Sequence, residues 1–156
     1  GQAPSGTNPP IQHNSDVLSM NVVYKTLKGK ILDPSKLTQG TDFIAEVSLN
    51  NPGRRGDYEQ MALTQIFPSG WEIINTRLHD NDGVLVSSPY TYKDIRDDRV
   101  LTYFKLNKRE THTYQVLLNA SYLGRYYLPT MSCEAMYDHA IQHLVPGKWV
   151  EVVEQK

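Results

Sequence analysis

Hydrophobic residues in this chain recur mostly at every second position. Phe43, Ala45, Val47 and Leu49 alternate with Asp42, Glu46 and Ser48. Val100, Thr102, Phe104 and Leu106 alternate with Leu101, Tyr103 and Lys105, and Tyr114, Val116, Leu118 and Ala120 mark another such run. A period of two is that of a strand with one face on a core. The same pattern predicts strands over 17–27, with Leu18, Met20, Val22 and Tyr24 on one face, over 58–67, and over 148–154. Turn residues punctuate these runs: Asn50-Asn51-Pro52-Gly53, Asp33-Pro34, Gln39-Gly40 and the hairpin-length Asn107-Lys108-Arg109. Pro68-Ser69-Gly70 interrupts apolar residues before Trp71, which predicts a strand that changes sheets at a bend. Residues 78–91 read as a long loop with one short strand near 84–86. Residues 139–146 are the segment best suited to a short helical turn.

The stretch 124–137, GRYYLPTMSCEAMY, divides into two alternating sets. Tyr127, Pro129, Met131, Cys133, Ala135 and Tyr137 are mostly apolar, whereas Thr130, Ser132 and Glu134 lie in the opposite set. Pro129 cannot donate to a ladder, so an edge, a bulge or a bend is expected there. Regular alternation would put Tyr137 on the core and Met136 outside. Asp138-His139 then departs from the pattern, and a strand ending there would leave both side chains at a domain edge.

The elements sum to about seven to nine short strands, with turn signals about every 8 to 12 residues and no long helix. The fold class expected is all-β: an antiparallel β-sandwich of immunoglobulin or fibronectin type. Its core is expected to hold Val22, Val47, Val100, Phe104, Tyr114, Val116 and Leu118. Residues 1–16 carry three prolines with Gly, Ser and Asn and read as a flexible lead-in, leaving 17–156 as the domain. Gly1 in place of an initiator Met implies a trimmed chain, so a targeting signal is not expected in it.

Charge and cysteine content narrow the function classes. Sixteen basic and 17 acidic residues give a net charge of −1, which argues against nucleic acid or an anionic membrane as the main partner. No apolar run approaches the ~18 residues of a membrane span. The single Cys133 forms no internal disulfide and no cysteine-rich zinc site.

Several residues invite chemistry, each against a plainer reading. Asp94, Asp97 and Asp98 could ligate calcium, but Lys93, Arg96 and Arg99 interleave with them, and mutual pairing is the more economical expectation. His139 and His143 are four apart without the glutamate of a zinc-protease helix, and two exposed histidines are expected. Ser132-Cys133-Glu134 lies mid-strand with no strained elbow, so a buried thiol is expected. Asn119-Ala120-Ser121 fits a glycosylation pattern that is common by chance. The reading therefore assigns no catalytic residue, no metal and no cofactor.

Four segments, taken together and in order, carry a resemblance: Asp94-Ile95-Arg96-Asp97-Asp98-Arg99-Val100, Gly124-Arg125-Tyr126-Tyr127-Leu128-Pro129, Glu134-Ala135-Met136-Tyr137 and Gly147-Lys148-Trp149-Val150-Glu151-Val152. Over 58–153 the chain resembles the C-terminal macroglobulin-like domain of bacterial alpha-2-macroglobulin family proteins. The resemblance implies an exported multidomain protein, periplasmic or at the cell envelope, that traps proteases when they cut a bait region. In many members an internal thioester captures the protease, and the C-terminal domain packs on the thioester domain and shields it. By that resemblance Met136 and Tyr137 are the contact residues, and the partners are other domains of the parent chain and, through it, proteases. Ser132-Cys133-Glu134-Ala135 is not the thioester motif Cys-Gly-Glu-Gln. Two other functions compete. One is a carbohydrate-binding module of a secreted hydrolase, using Trp71, Tyr90 and Tyr92, and the other is a small enzyme with convergent polar groups in a pocket.

Overall fold

A computed structural model describes residues 16–74 and 85–155. The described residues form twelve strands and no helix: β1 (Ser19–Lys25), β2 (Lys36–Thr38), β3 (Asp42–Asn50), β4 (Tyr58–Ile66), β5 (Trp71–Ile73), β6 (Tyr92–Ile95), β7 (Arg99–Leu106), β8 (Thr111–Ala120), β9 (Gly124–Leu128), β10 (Met131–Ala135), β11 (Asp138–Val145) and β12 (Lys148–Val153). They make a four-stranded sheet in the order β1-β3-β8-β5, a five-stranded sheet in the order β11-β10-β4-β7-β6, and a small sheet β2-β12-β9. All pairings are antiparallel except β2 with β12.

Alternation along each strand decides what is buried. In β8 every second side chain, His112, Tyr114, Val116, Leu118 and Ala120, is turned inward. Phe43, Val47 and Leu49 on β3 face Met61, Leu63 and Phe104 of the five-stranded sheet within one core. Phe104 and Tyr114 meet across the two sheets with ring centroids 5.2 Å apart. Leu37, Leu128, Val150 and Val152 bring the inner face of the small sheet into the same core. Of the expected core residues only Val22 differs. It is partly buried and packs at the margin of the cluster.

The chain crosses between sheets repeatedly, as a sandwich requires. β4 lies in the five-stranded sheet and β5 in the four-stranded one, so the bend at Pro68-Ser69-Gly70 does change sheets. Gly70 is needed there for space, because a Cβ would collide with the Tyr126 ring. The Asn107–Glu110 connection is short enough for a hairpin, yet it joins β7 and β8 in different sheets. It therefore arches over the core instead of closing a hairpin.

Five strands depart from the sequence reading. β2 sits between the Asp33-Pro34 and Gln39-Gly40 turn signals and is held by parallel bonding to β12, which no local pattern announces. β6 is a charged edge strand whose hydrogen bonds come from β7. The 124–137 stretch is two strands, β9 and β10, in different sheets, parted at Pro129-Thr130. Residues 138–145 form β11 and not a helical turn, because antiparallel pairing with β10 outweighs weak local preference. Residues 1–15 of the expected lead-in and residue 84 of the expected short strand lie outside the described residues. Leu85 and Val86 are not in a strand, and the nearby bridge is between Ser87 and Tyr114.

Candidate functional site

Strand β10 keeps its period of two until Ala135. Met131, Cys133 and Ala135 are buried, in agreement with the alternation. The next pair of the β10–β11 ladder is Ala135 with Asp138, so Met136 and Tyr137 are the two central residues of a tight turn. Both point to solvent, with Met136 57% and Tyr137 52% exposed. The expectation that regular alternation would carry Tyr137 into the core is corrected by this turn, which ends the strand at Ala135.

Two bulky apolar residues are unusual at the centre of such a turn. Tight hairpins favour positive φ there, supplied by Gly, Asn or Asp, because that twist matches the flanking strands. Neither Met136 nor Tyr137 has a positive φ. The ladder absorbs the mismatch directly afterwards. Glu134 pairs with Gln142 while Ala135 pairs with Asp138, so His139, Ala140 and Ile141 bulge from the register.

The turn hangs from a second irregularity. Tyr58 pairs with Leu106 and Met61 with Phe104, so Glu59 and Gln60 form a bulge in β4. Its Gln60 carbonyl accepts the Met136 N–H at 2.9 Å, one bond beyond the end of β10. Beneath lies the fully buried Tyr58, whose hydroxyl donates to the Val17 carbonyl at 2.5 Å. Burial pushes the Tyr58 hydroxyl above its ordinary pKa. Arg55 pulls the other way, and Tyr137 and Asp138 add to the rise. Arg55 Nη1 stands 3.7 Å from Asp138 Oδ2, and the other Asp138 oxygen accepts the Ala140 N–H at 3.0 Å. His139 Nδ1 lies 3.5 Å from Glu134 Oε2. The turn is thus pinned by backbone and rim charges, while its two apolar side chains stay outside. Sequence reasoning named Met136 and Tyr137 but missed Arg55, Gln60 and Asp138. The adjacent polar pair Glu59-Gln60, breaking the period between Tyr58 and Met61, was the available signal.

The other candidates resolve individually. Cys133 is fully buried and burial pushes its thiol pKa up strongly, so it is held as a neutral thiol. Asp94 pairs with Arg96 at 2.9 Å and Asp98 with Arg99 at 2.9 Å, so mutual pairing describes this turn. His139 is exposed, but His143 is buried with Nδ1 2.9 Å from the Leu18 carbonyl, correcting the expectation that both are exposed. The Asn119 side chain donates to the Gly40 carbonyl and to Asp42, and accepts from Ser121. Trp71 is 2% exposed and packs edge-on to Phe43 at 4.9 Å, which removes it from any sugar-stacking face. Tyr90 and Tyr92 remain exposed; Lys93 covers the Tyr90 ring at 4.4 Å and Tyr92 leans on Tyr103 at 5.9 Å.

A family model described as the Bacterial Alpha-2-macroglobulin MG10 domain matches residues 18–139. Alpha-2-macroglobulin of Rickettsia conorii is 26% identical over 140 residues, covering 86% of this chain and 7% of that protein. Native alpha-2-macroglobulin from Escherichia coli, solved from domain MG7 to the C-terminus, superposes with a TM-score of 0.79 at 18% identity, covering 94% of this chain and 25% of that one. Salmonella alpha-2-macroglobulin reacted with methylamine superposes with a TM-score of 0.78 at 18% identity, covering 95% of this chain and 10% of that one. The structural likeness shows a shared fold. The chain spans a small fraction of the length of each of these relatives.

Proposed function

Because this chain belongs to the bacterial alpha-2-macroglobulin MG10 domain family, we propose that it is a non-catalytic docking domain of a longer, exported protease-trapping protein. In this reading Met136 and Tyr137 seat against the thioester domain of that protein and keep water and amines from its reactive ester. The observation that carries it is the pair itself. Two large side chains, more than half exposed, occupy a turn where the fold favours small, polar or glycine residues. Methionine packs adaptably and tyrosine is enriched at interfaces, so the pair suits a surface that closes over an apolar reactive group. The buried, neutral Cys133 gives the domain no nucleophile of its own at this strand. The Salmonella relative was reacted with methylamine, an amine that opens thioesters, which makes amine reactivity the natural readout. Export to the periplasm or cell envelope, and partnership with proteases through the parent protein, belong to the same proposal.

The test is Met136→Ala with Tyr137→Ala in a parent chain that carries a thioester. Reaction with methylamine should speed up roughly tenfold, the factor that corresponds to about 1.4 kcal/mol of lost docking. The melting temperature of the 156-residue chain should move little. Unchanged amine reactivity beside a melting point many degrees lower would make the pair ordinary fold residues and sink the reading.

A further inference from the structure

The end of the sandwich that carries Met136 and Tyr137 also gathers cations. Loop 51–57 joins β3 to β4 and loop 107–110 joins β7 to β8, and both cross between the two large sheets there. They expose Arg54, Arg55, Lys108 and Arg109. Fully buried Asn51 ties them together: its side chain donates to the Gly56 and Leu106 carbonyls at 2.8 and 3.1 Å, and accepts the Gly53 N–H at 2.9 Å. The Asn51 carbonyl accepts the Arg109 N–H at 2.7 Å. The loops therefore present their charges from a fixed platform.

The carboxylates nearby are turned to other work. Asp57 accepts the Lys108 N–H at 2.9 Å, and Glu110 accepts the Asn107 N–H at 3.0 Å and lies 3.0 Å from His112 Nε2. Glu59 pairs with Lys105 at 3.4 Å. Arg55 reaches Asp138 beside the Met136–Tyr137 turn. Among the described residues, Arg54, Lys108 and Arg109 have no ion-pair partner.

Arg109 is the most telling of the four. At φ 63° it is the one non-glycine residue with positive φ among the described residues. That conformation is disfavoured for a long side chain, and Gly or Asn would fill it more easily. Gly53 leaves room for its stem, since a Cβ there would lie 3.2 Å from Arg109 Cγ. A guanidinium is thus kept where backbone preference alone would place another residue, and strain of this kind points to function.

We propose that Arg54, Arg55, Lys108 and Arg109 form a basic rim that docks, together with Met136 and Tyr137, on a carboxylate-bearing surface of a neighbouring domain in the longer chain. This rests on the reading of this end as an interdomain face. The rim sets orientation and salt sensitivity, whereas the apolar pair excludes water. Charge complementarity identifies the partner: a chain of net charge −1 concentrates unpaired cations on the loops that border its exposed apolar turn.

The experiment is hydrogen–deuterium exchange on the full-length parent, at about 0.05 M and about 0.5 M salt, where the Debye length falls from beyond 10 Å to a few ångströms. Amides of 51–57 and 107–110 should be protected at low salt. R54E with K108E and R109E should speed their exchange about tenfold, the scale of several rim charges lost together, and high salt should do the same to the native protein. R109G should weaken protection while holding the melting temperature, because glycine suits the backbone there. Protection that ignores both salt and charge reversal overturns the rim. If M136A/Y137A nevertheless loosens the face, the apolar reading survives alone; if charge reversal loosens it and the alanine pair does not, the rim stands and the apolar reading fails. A lower melting temperature for R109G with protection intact would make Arg109 a fold residue and overturn the inference. Protection that appears only when anionic phospholipid vesicles are added would replace the protein surface with a membrane and overturn it too.

Discussion

Gln65 is the least comfortable residue in the core, and replacing it should stabilise the domain. It is fully buried on β4, opposite Val100, and neither its Nε2 nor its Oε1 has a hydrogen-bond partner. The Thr102 hydroxyl, one strand over on the same face, is also buried without a partner. An unsatisfied buried polar group costs about 1–3 kcal/mol, and an apolar side chain of similar volume carries no such cost. Gln65→Leu keeps most of the volume and removes both orphaned atoms, so a gain of about 2 kcal/mol is expected. In a domain of this size each kcal/mol moves the midpoint by roughly 2–4 °C, giving a rise of roughly 4–8 °C. Gln65→Glu should do the reverse and lose several kcal/mol, since a carboxylate there has no cation to meet. The assay is urea denaturation followed by emission of the buried Trp71 and exposed Trp149, with an unchanged m-value as the sign that only stability moved. A lower midpoint for Gln65→Leu would refute the reasoning. It would mean that an internal water joins Gln65 and Thr102. Thr102→Val would then cost stability as well, and the double variant would lose less than the two single losses added together.

Phe104→Ala should cost about 3–5 kcal/mol, because its ring is 1% exposed and spans the contact between the large sheets; a loss near zero in a denaturant melt would contradict the core assignment. Cys133 should resist thiol reagents in the folded chain and be modified only in denaturant, since it is fully buried and its thiol is held neutral; rapid labelling without denaturant would place it elsewhere. Burial pushes the Glu46 carboxyl up, but hydrogen bonds from Lys25 and Gln115 outweigh it and leave the native pKa below the ordinary value. Its contribution is therefore present above about pH 4.3 and lost as the pH falls below that through the lowered native value, so Glu46→Gln should flatten the acid limb of a stability–pH curve. A chelator should leave the melting temperature unchanged, because Asp94 and Asp98 spend their charge on Arg96 and Arg99; a clear drop would restore a bound cation to that turn.

The chain's own pattern determined the strands that run through the middle of the sheets. In β3, β7 and β8 one face is buried along the whole strand, so period two is written directly into residue type. The sheet change at Pro68-Ser69-Gly70 was legible for the same reason: proline and glycine act on the local backbone, whatever surrounds them. The ordered segments from Asp94 to Val152 also carried the family resemblance, which the match over residues 18–139 supports. What local pattern did not hold was decided by pairing partners distant in sequence. β2 and β6 are strands because β12 and β7 supply their hydrogen bonds, and β11 because β10 lies beside it. The competing carbohydrate-binding reading needed an exposed Trp71, but crossing to the four-stranded sheet put that ring among Tyr24, Phe43 and Phe67. The Met136–Tyr137 turn shows the division most clearly. Alternation could say only that one of the pair faces out; the Glu59–Gln60 bulge and the three-residue register shift of β11 accompany a strand that stops at Ala135, two residues short of Tyr137, and both side chains turn outward. A periodic sequence fixes which face of a strand is apolar, but where that strand stops is set by the neighbours that bond to it.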